Sequence, residues 1–247
     1  MVIGIRALFY SASVSLEEEQ EVSSKVLWGS VALGIVLAMV LFLALPLLII
    51  HYLVDPHVSP LVGNVSDGVI RMIVFLIYLG AMSLMPDIRR VFAYHGAEHK
   101  TINAHEAGEP LELDEVRKHS TSHSRCGTSF LLFVLVIAIV AHAFLGRPPM
   151  WLRFVERIAI LPLIAAVSYE MIRFSAGHIK NSLVRAALAP GLALQAMTTR
   201  QPDDQQLEVA ISALKRVFAA DAESAAELAE ETAPVTGVAD GTDGVHP

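Results

Sequence analysis

Two histidines and a carboxylate lie close together in the segment His95-Gly96-Ala97-Glu98-His99. In an α-helix, residues four apart share one face, so the imidazoles of His95 and His99 would lie one above the other. Their nitrogens could then bind a single divalent ion at about 2 Å, and the H-x-x-E-H order matches the inverted zinc-hydrolase motif. Glu98 is placed to take a proton from a water molecule on the ion. The spacing predicts a metal site, with zinc as the expected ion.

Further residues that can bind a metal follow in the same segment. Five of the ten histidines fall between His95 and His123, and the only cysteine of the chain, Cys126, comes three residues later. Because a zinc site takes three or four ligands, His95 and His99 with either His123 or Cys126 would complete one. For Cys126, burial as a small apolar side chain is an equal alternative. The other two histidines of this segment, His105 and His119, are interpreted as surface residues.

Three charged residues could assist such a site. Lys100 or Arg125 could stabilise an oxyanion or a phosphate. Glu170 lies within an apolar stretch, where a carboxylate is costly and is usually functional. It could bind the metal or orient a ligating histidine, or it could be neutralised by Arg71 or by Arg173, three residues further along its own helix.

The composition is that of a membrane protein. Hydrophobic residues make up 54% of the chain and charged residues only 17%, far from the balance of a soluble domain. We predict an all-α polytopic membrane protein with about four transmembrane helices, a helical His-rich cytoplasmic loop and a C-terminal amphipathic helix. For the second and fourth spans, buried helices of a soluble core are the alternative. The predicted spans are Val26 to Ile50, about Val69 to Met85, Phe130 to Leu145 and about Ile158 to Ser175.

The distribution of Lys and Arg predicts the orientation. The loop from Asp87 to Ser129 and the tail after Ser175 are rich in Lys and Arg, whereas the loop from His51 to Gly68 has none. The positive-inside rule then places both termini and the His-rich loop in the cytoplasm, and the protein in the bacterial inner membrane. The short loop from Gly146 to Arg157 carries three arginines and is the exception.

The chain therefore divides into six predicted segments. They are a cytoplasmic N-terminal segment (1–25), transmembrane helices 1 and 2 (26–86), the His-rich loop (87–129), transmembrane helices 3 and 4 (130–175), an interfacial segment with a cytoplasmic amphipathic helix (176–218), and a disordered acidic tail (219–247).

Local signals refine these segments. Residues 87–104 predict a helix in which Gly96 allows another backbone to approach closely, and a turn at Gly108 leads to a short helix from Asp114 to about Thr121. Pro46 is expected to kink or end the first span, and Pro190-Gly191 to break the interfacial segment. Thr128 and Ser129 are predicted to cap the third span, and Asp203 and Asp204 are predicted at the N-terminal turn of the amphipathic helix.

The string YHGAEHKTINAHEAGEPLELDEVRKHSTSHSRCGTSFLLF, preceded by MSLMPDIRRVFA, resembles the signature of the YqhQ-like family of bacterial membrane proteins. The pieces WLRFVERIAILPLIAAVSYE and APGLALQAMTTRQPDDQQLEVAI, with GIRALFYSASVSLEEE near the start, resemble it too, so the likeness covers nearly all of Gly4 to Phe218. It implies a metal-dependent enzyme but no particular reaction. It places at the family's motif positions Tyr94, His95, Glu98, His99, Lys100, His123, Arg125, Cys126, Gly127 and Glu170.

The chain departs from this family at its start. Relatives commonly begin with a further cytoplasmic segment that carries Gly-Gly-Gln-Ala-Val and Glu-Gly-Val-Met type motifs, and here nothing precedes Met1. If that segment contributes to the site, we expect this chain to be incomplete.

The leading hypothesis is a metal-dependent hydrolase of the inner membrane that acts on a membrane-proximal substrate at the cytoplasmic face. The alternative is a non-enzymatic membrane scaffold or assembly protein in which a structural metal or a histidine cluster holds the loop. A transporter is disfavoured because few ionisable residues lie within the spans and no repeat is evident. The expected partner is the lipid bilayer; with no basic stripe, nucleic acid is excluded as a partner, and an oligomer is compatible with the sequence.

Overall fold

The computed structural model describes residues 2–15, 24–53, 58–146, 148–178 and 180–232. Every regular element in these ranges is a helix, so the all-α class is confirmed. Parts of the predicted N-terminal segment and of the acidic tail, 16–23 and 233–247, lie outside the described residues. The helices are α1 (Val2–Ser15), α2 (Ser24–Met39), α3 (Leu45–Leu53), α4 (Pro60–Leu84), α5 (Pro86–Glu106), α6 (Leu113–Val116), α7 (Gly127–Ala143), α8 (Met150–Ala159), α9 (Leu161–Gly177), α10 (Ser182–Thr198) and α11 (Asp204–Thr232).

The chain divides into two compact units. The first unit comprises Met1–Ile88 and Ser124–Thr198, and the second unit comprises Arg89–His123 and Thr199–Pro247. The first unit thus holds the apolar helices, and the second holds most of α5, with α6 and α11. We describe each by itself.

Two helices of the first unit are long and apolar enough to cross a membrane: Lys25–Leu53, with 29 residues, and Pro60–Leu84, with 25. In the first of these, α2 continues into α3 through the π-helical turn Val40–Ala44. That turn comes just before Pro46, which lacks an N–H for the normal helical bond, so the widened turn lets the helix continue where the sequence predicted a kink or an end. The apolar helix α7 has 17 residues and is shorter.

The core of the first unit holds a buried cluster of charges. The Asp67 carboxylate on α4 lies 3.1 Å from Nη2 of Arg71 and 3.0 Å from Nη2 of Arg157 on α8. Its side chain and that of Arg157 are only 2% and 4% exposed. Because an isolated buried charge is strongly destabilising, this pairing sets how α4 and α8 pack. The partner of Arg71 is therefore Asp67, whereas the sequence had suggested Glu170 as one possibility.

Several local predictions in the first unit were wrong. Helix α10 runs without a break through Pro190, and Gly191 lets Ser129 of α7 approach within about 3 Å of where a Cβ would lie. The cap of α7 is Cys126, whose Sγ accepts from the N–H of Thr128 at 3.4 Å. Thr128 and Ser129 lie inside the first turn of α7, and Ser129 Oγ accepts from Nε2 of Gln195 at 2.7 Å. The predicted fourth span, from about Ile158, is divided between the end of α8 and α9, which begins at Leu161.

The second unit is built from α5, α6 and α11. Its core contains five buried apolar side chains: Ala97, Ala104, Val116, Leu207 and Ile211. Small alanines on α5 let the larger Leu207 and Ile211 of α11 pack closely against it. Asp203 caps α11, because its Oδ1 accepts from the N–H of Gln206 at 2.8 Å while Gln206 Oε1 accepts from the N–H of Asp203.

Helix α11 continues to Thr232, past position 219, where the sequence predicted the start of a disordered tail. The segment after 219 is rich in alanine and glutamate, which have high helix propensity. That propensity extends the helix even though the segment has few large apolar side chains to bury.

Candidate metal centre

Helix α5 positions the two histidines of the motif. It begins at Pro86, which needs no N–H partner at a helix start, and Asp87 adds a favourable charge in the first turn. The ring centroids of His95 and His99 are 4.3 Å apart, and their ligand nitrogens lie within 4.8 Å of each other. The helix therefore places two imidazole nitrogens within reach of one ion.

His99 is oriented by the loop that follows α6. The ring is buried, with 4% of its surface exposed, and Nδ1 lies 2.6 Å from the carbonyl oxygen of Thr121. A carbonyl can only accept, so Nδ1 carries the hydrogen and, in the neutral ring, the lone pair is on Nε2. Hydrogen bonds of this kind commonly orient histidines that bind metals.

His123 lies beside His99 in the second unit. The two ring centroids are 5.8 Å apart, and Nε2 of His123 lies 3.3 Å from a carboxylate oxygen of Glu106 at the end of α5. With the carboxylate as acceptor, Nε2 carries the hydrogen and Nδ1 carries the lone pair of the neutral ring. Three imidazoles are thus grouped, and two of them have defined tautomers.

The same loop is fixed by other polar side chains of α5. The Lys100 ammonium donates to the carbonyl oxygens of Arg117 at 2.9 Å and His119 at 2.5 Å. Asn103 Nδ2 donates to the carbonyls of Ser120 and Ser122, at 2.9 and 3.1 Å. With the His99 bond to Thr121, three side chains of one helix satisfy five backbone carbonyls between 117 and 122. We call residues 117–122 the strap.

Burial lowers the pKa of Lys100 below its usual value. Its side chain is only 5% exposed, and the two strap carbonyls take the place of water as its hydrogen-bond partners. Lys100 therefore has a structural role in holding the strap. Its role in stabilising an oxyanion stays a prediction.

Gly96, between the two histidines, is needed for packing. A Cβ at this position would collide with the carbonyl oxygen of Arg200, and the N–H of Arg200 donates to the carbonyl of Phe92 at 2.9 Å. The chain entering α11 thus lies directly on α5. This is the close backbone approach that the sequence predicted for Gly96.

The remaining predicted site residues are divided between the two units. Glu98 is exposed on α5, next to His99 in sequence. Arg125, Cys126 and Glu170 belong to the first unit, in which Arg125 is exposed and Cys126 is 5% exposed. Glu170 is mostly exposed and pairs with Arg173 at 3.8 Å, one of the two neutralising partners considered from the sequence.

His105 and His119, which the sequence assigned to the surface, have contacts of their own. His119 Nε2 lies 2.8 Å from a carboxylate oxygen of Glu109, and the His105 ring lies 4.7 Å from that of Phe218, centroid to centroid. Each has a partner other than the His95, His99 and His123 group.

Sequence reasoning missed the groups that orient the histidines. The Thr121 carbonyl carries no side-chain signal at all. Glu106 and Asn103 could have been found, because both lie on α5 at helical spacing from His99 and would face the returning loop if the helix reaches that far. Asp67, four residues before Arg71, was a further detectable pair.

Imidazole nitrogens suit zinc and neighbouring transition metals. The pair His95 and His99, with ligand nitrogens within 4.8 Å of each other and His99 oriented by a second hydrogen bond, is compatible with holding such an ion. The residues of the second unit therefore fit a metal site by their chemistry.

The comparisons with known proteins identify the family. A family model described as a protein of unknown function (DUF1385) matches residues 1–220, so the chain belongs to this family. The chain is also 35% identical over 152 residues to the uncharacterised protein YqhQ of Bacillus subtilis, an alignment that covers 62% of this chain and 48% of that protein. The chain thus spans about half the length of this relative. No solved structure matches the chain.

We expect Lys100→Met to loosen the strap. Hydrogen bonds from a charged donor contribute about 1.5–3 kcal/mol each, so their loss should expose the peptide bonds after Arg117 and Lys118 to trypsin roughly tenfold faster or more. Limited proteolysis with mass mapping measures these rates. Lys215→Met, at an exposed position of α11, is the control and should leave both sites at wild-type rates. Equal cleavage in the two variants would show that Lys100 does not hold the strap.

Proposed function

We propose that the protein is a metal-dependent hydrolase, carrying zinc, in the bacterial inner membrane. The observation that supports this best is the pair His95 and His99, whose ligand nitrogens lie within 4.8 Å of each other, with His99 held through Nδ1 by the Thr121 carbonyl. A histidine fixed in this way presents the lone pair of Nε2 in one orientation, which suits a ligand.

His95 and His99 supply the first two ligands in this proposal, and His123 or Cys126 completes the set. Cys126 follows His123 by three residues, and three extended residues cover about 10 Å, so chain connectivity alone keeps its sulfur near the end of the strap. Glu170 remains a proposed further ligand or orienting group, although its observed partner is Arg173.

The bound ion would supply Lewis acidity and make a water molecule easier to deprotonate. Glu98, which is exposed to solvent and lies next to His99 on the helix, would be the general base at such a site. Arg125 stabilises developing negative charge on the substrate. Lys100 contributes to the same charge only if it leaves the strap carbonyls that it now contacts.

The membrane topology is part of this proposal. In this proposal α7 and α9 are two further, shorter spans beside the two long apolar helices. Both termini and the second unit lie in the cytoplasm. The charge pattern of the loops supports this arrangement. The substrate is then reached at the membrane surface from the cytoplasmic side, with the lipid bilayer as the immediate partner.

A second candidate is a non-enzymatic scaffold. The observation in its favour is that His99, Lys100 and Asn103 all bind backbone carbonyls of the strap. A structural metal would then reinforce a loop that is already held, and no open ligand position would be needed.

Metal content tests the site. We expect protein purified without chelators to hold close to one zinc per chain, and His95→Ala and His99→Ala each to lose most of it, because removing one ligand weakens the set. Plasma mass spectrometry measures this directly. His105→Ala, on the same helix but against Phe218, should keep the wild-type content. Absence of metal from the wild-type protein would contradict both metal-based proposals.

An open ligand position separates hydrolase from scaffold. In Co²⁺-substituted protein, acetohydroxamate should shift the visible spectrum if the site is catalytic, because such sites keep a position for water or substrate. Glu98→Gln should retain the metal and the shift, since Glu98 is not proposed as a ligand. A spectrum unchanged by acetohydroxamate would count against the hydrolase and for the scaffold.

Cysteine labelling tests the topology. In a Cys126→Ser background, Ser59→Cys at the start of α4 should react with a membrane-impermeant maleimide in intact cells, where the outer envelope admits it. Ser212→Cys on α11 should react only after the inner membrane is permeabilised, because the two positions lie on opposite sides. Both side chains are exposed, so failure to label would not reflect burial. Labelling of Ser212→Cys in intact cells would overturn the proposed orientation.

A further inference from the structure

A basic cavity lies in the second unit, between the start of α5 and the chain that enters α11. Its volume is about 640 Å³, within the range of small-molecule sites. From α5 it is lined by Arg89, Arg90 and Tyr94, and from the other side by Arg200 and a group of glutamines: Gln201, Gln205 and Gln206.

The charge in this cavity is predominantly positive. Three arginines line it against one carboxylate, that of Asp203. Asp203 already caps α11, because its Oδ1 accepts from the N–H of Gln206. The guanidinium groups therefore outnumber the acid, and the acid has a structural partner.

Arg200 is held in place by its backbone. Its N–H donates to the carbonyl of Phe92 at 2.9 Å, and its own carbonyl packs where Gly96 lacks a Cβ. Because both backbone groups are fixed on α5, the Cα of Arg200 has a defined position on the wall of the cavity opposite Arg90. A cavity with charged groups on two fixed walls is better organised for binding than a mobile basic surface, because less ordering is needed when a ligand enters.

This cavity is separate from the histidine group. At 3.6 residues per turn, His95 and His99 lie about 140° and 180° around α5 from Arg90, whereas Tyr94 is close to Arg90. An anion in the cavity therefore lies on the other side of the helix from the candidate metal centre. Ligand binding in this cavity does not depend on the proposed hydrolase.

We propose that the cavity binds a phosphate group, carried either by a phospholipid headgroup or by a soluble phosphate. Guanidinium groups match phosphate oxygens with paired hydrogen bonds, and the glutamine amides and the Tyr94 hydroxyl can donate to further oxygens. A lipid source suits the sequence, since Arg89 follows Leu84, the last residue of the 25-residue apolar helix α4, by only five positions.

The test uses the full chain purified in nonionic detergent. Inorganic phosphate is titrated by calorimetry, and phosphatidylglycerol is titrated by native mass spectrometry with zwitterionic phosphatidylcholine, which has no net charge, as the competitor. We expect saturable binding of at least one probe, weakened at least about tenfold in Arg90→Gln and in Arg200→Gln. Arg216→Gln, an exposed arginine of α11 outside the cavity, should bind like the wild type. Which probe binds identifies the source of the phosphate.

Chemical modification of the wild-type protein guards against a variant that fails to fold. Phenylglyoxal modifies accessible arginines, and a bound phosphate should slow its reaction at Arg90 and Arg200 but not at Arg216. Mass mapping measures each rate. Binding of neither probe, affinity unchanged in folded cavity variants, or equal modification with and without the probe would each overturn the proposal.

Discussion

The arrangement of the second unit depends on hydrogen bonds from α5 to the backbone of the strap. Residues 117–122 form no regular element with partners of their own, and buried carbonyls without donors are costly. Lys100, Asn103 and His99 supply the donors from successive turns of one helix. The strap is held along α5, and His123, the residue that follows it, lies against His99. The grouping of the three histidines follows from this contact.

Helix α5 separates two kinds of chemistry on opposite sides. One side carries His95 and His99, and the other carries Arg90 and Tyr94 into the basic cavity and, farther along the helix, packs Ala97 and Ala104 into the core of the unit. Gly96 lies where the chain entering α11 crosses the helix, so the core and the cavity share one close contact. The proposed cation site and the proposed anion site therefore lie on opposite sides of one helix.

The bond between His99 and Thr121 supports two roles at once. It satisfies a strap carbonyl, as a structural residue would, and it sets the tautomer that a metal ligand needs. Nearby, Lys100 is committed to the strap by two short bonds, while Glu98 remains at the surface. This division, with a buried group that holds the loop and an exposed carboxylate next to a histidine, is compatible with the proposed hydrolase; it is also compatible with a scaffold if no position stays open.

The sequence by itself determined the features that depend on neighbours along the chain. Apolar length gave the long helices, helical spacing paired His95 with His99, and Gly96 indicated a close backbone approach. Local signals were less reliable where packing or a neighbouring residue competed, since α10 continues through Pro190 and Cys126 rather than Thr128 caps α7. Beyond 219, the helix propensity of alanine and glutamate extends α11 where the low apolar content had indicated disorder. Only the tertiary structure decided which distant groups meet, namely the Thr121 carbonyl with His99, Arg157 with Asp67 and Arg200 with Gly96. The physical reason is that helix periodicity is a short-range property, whereas these contacts depend on how the helices pack, which no local spacing encodes.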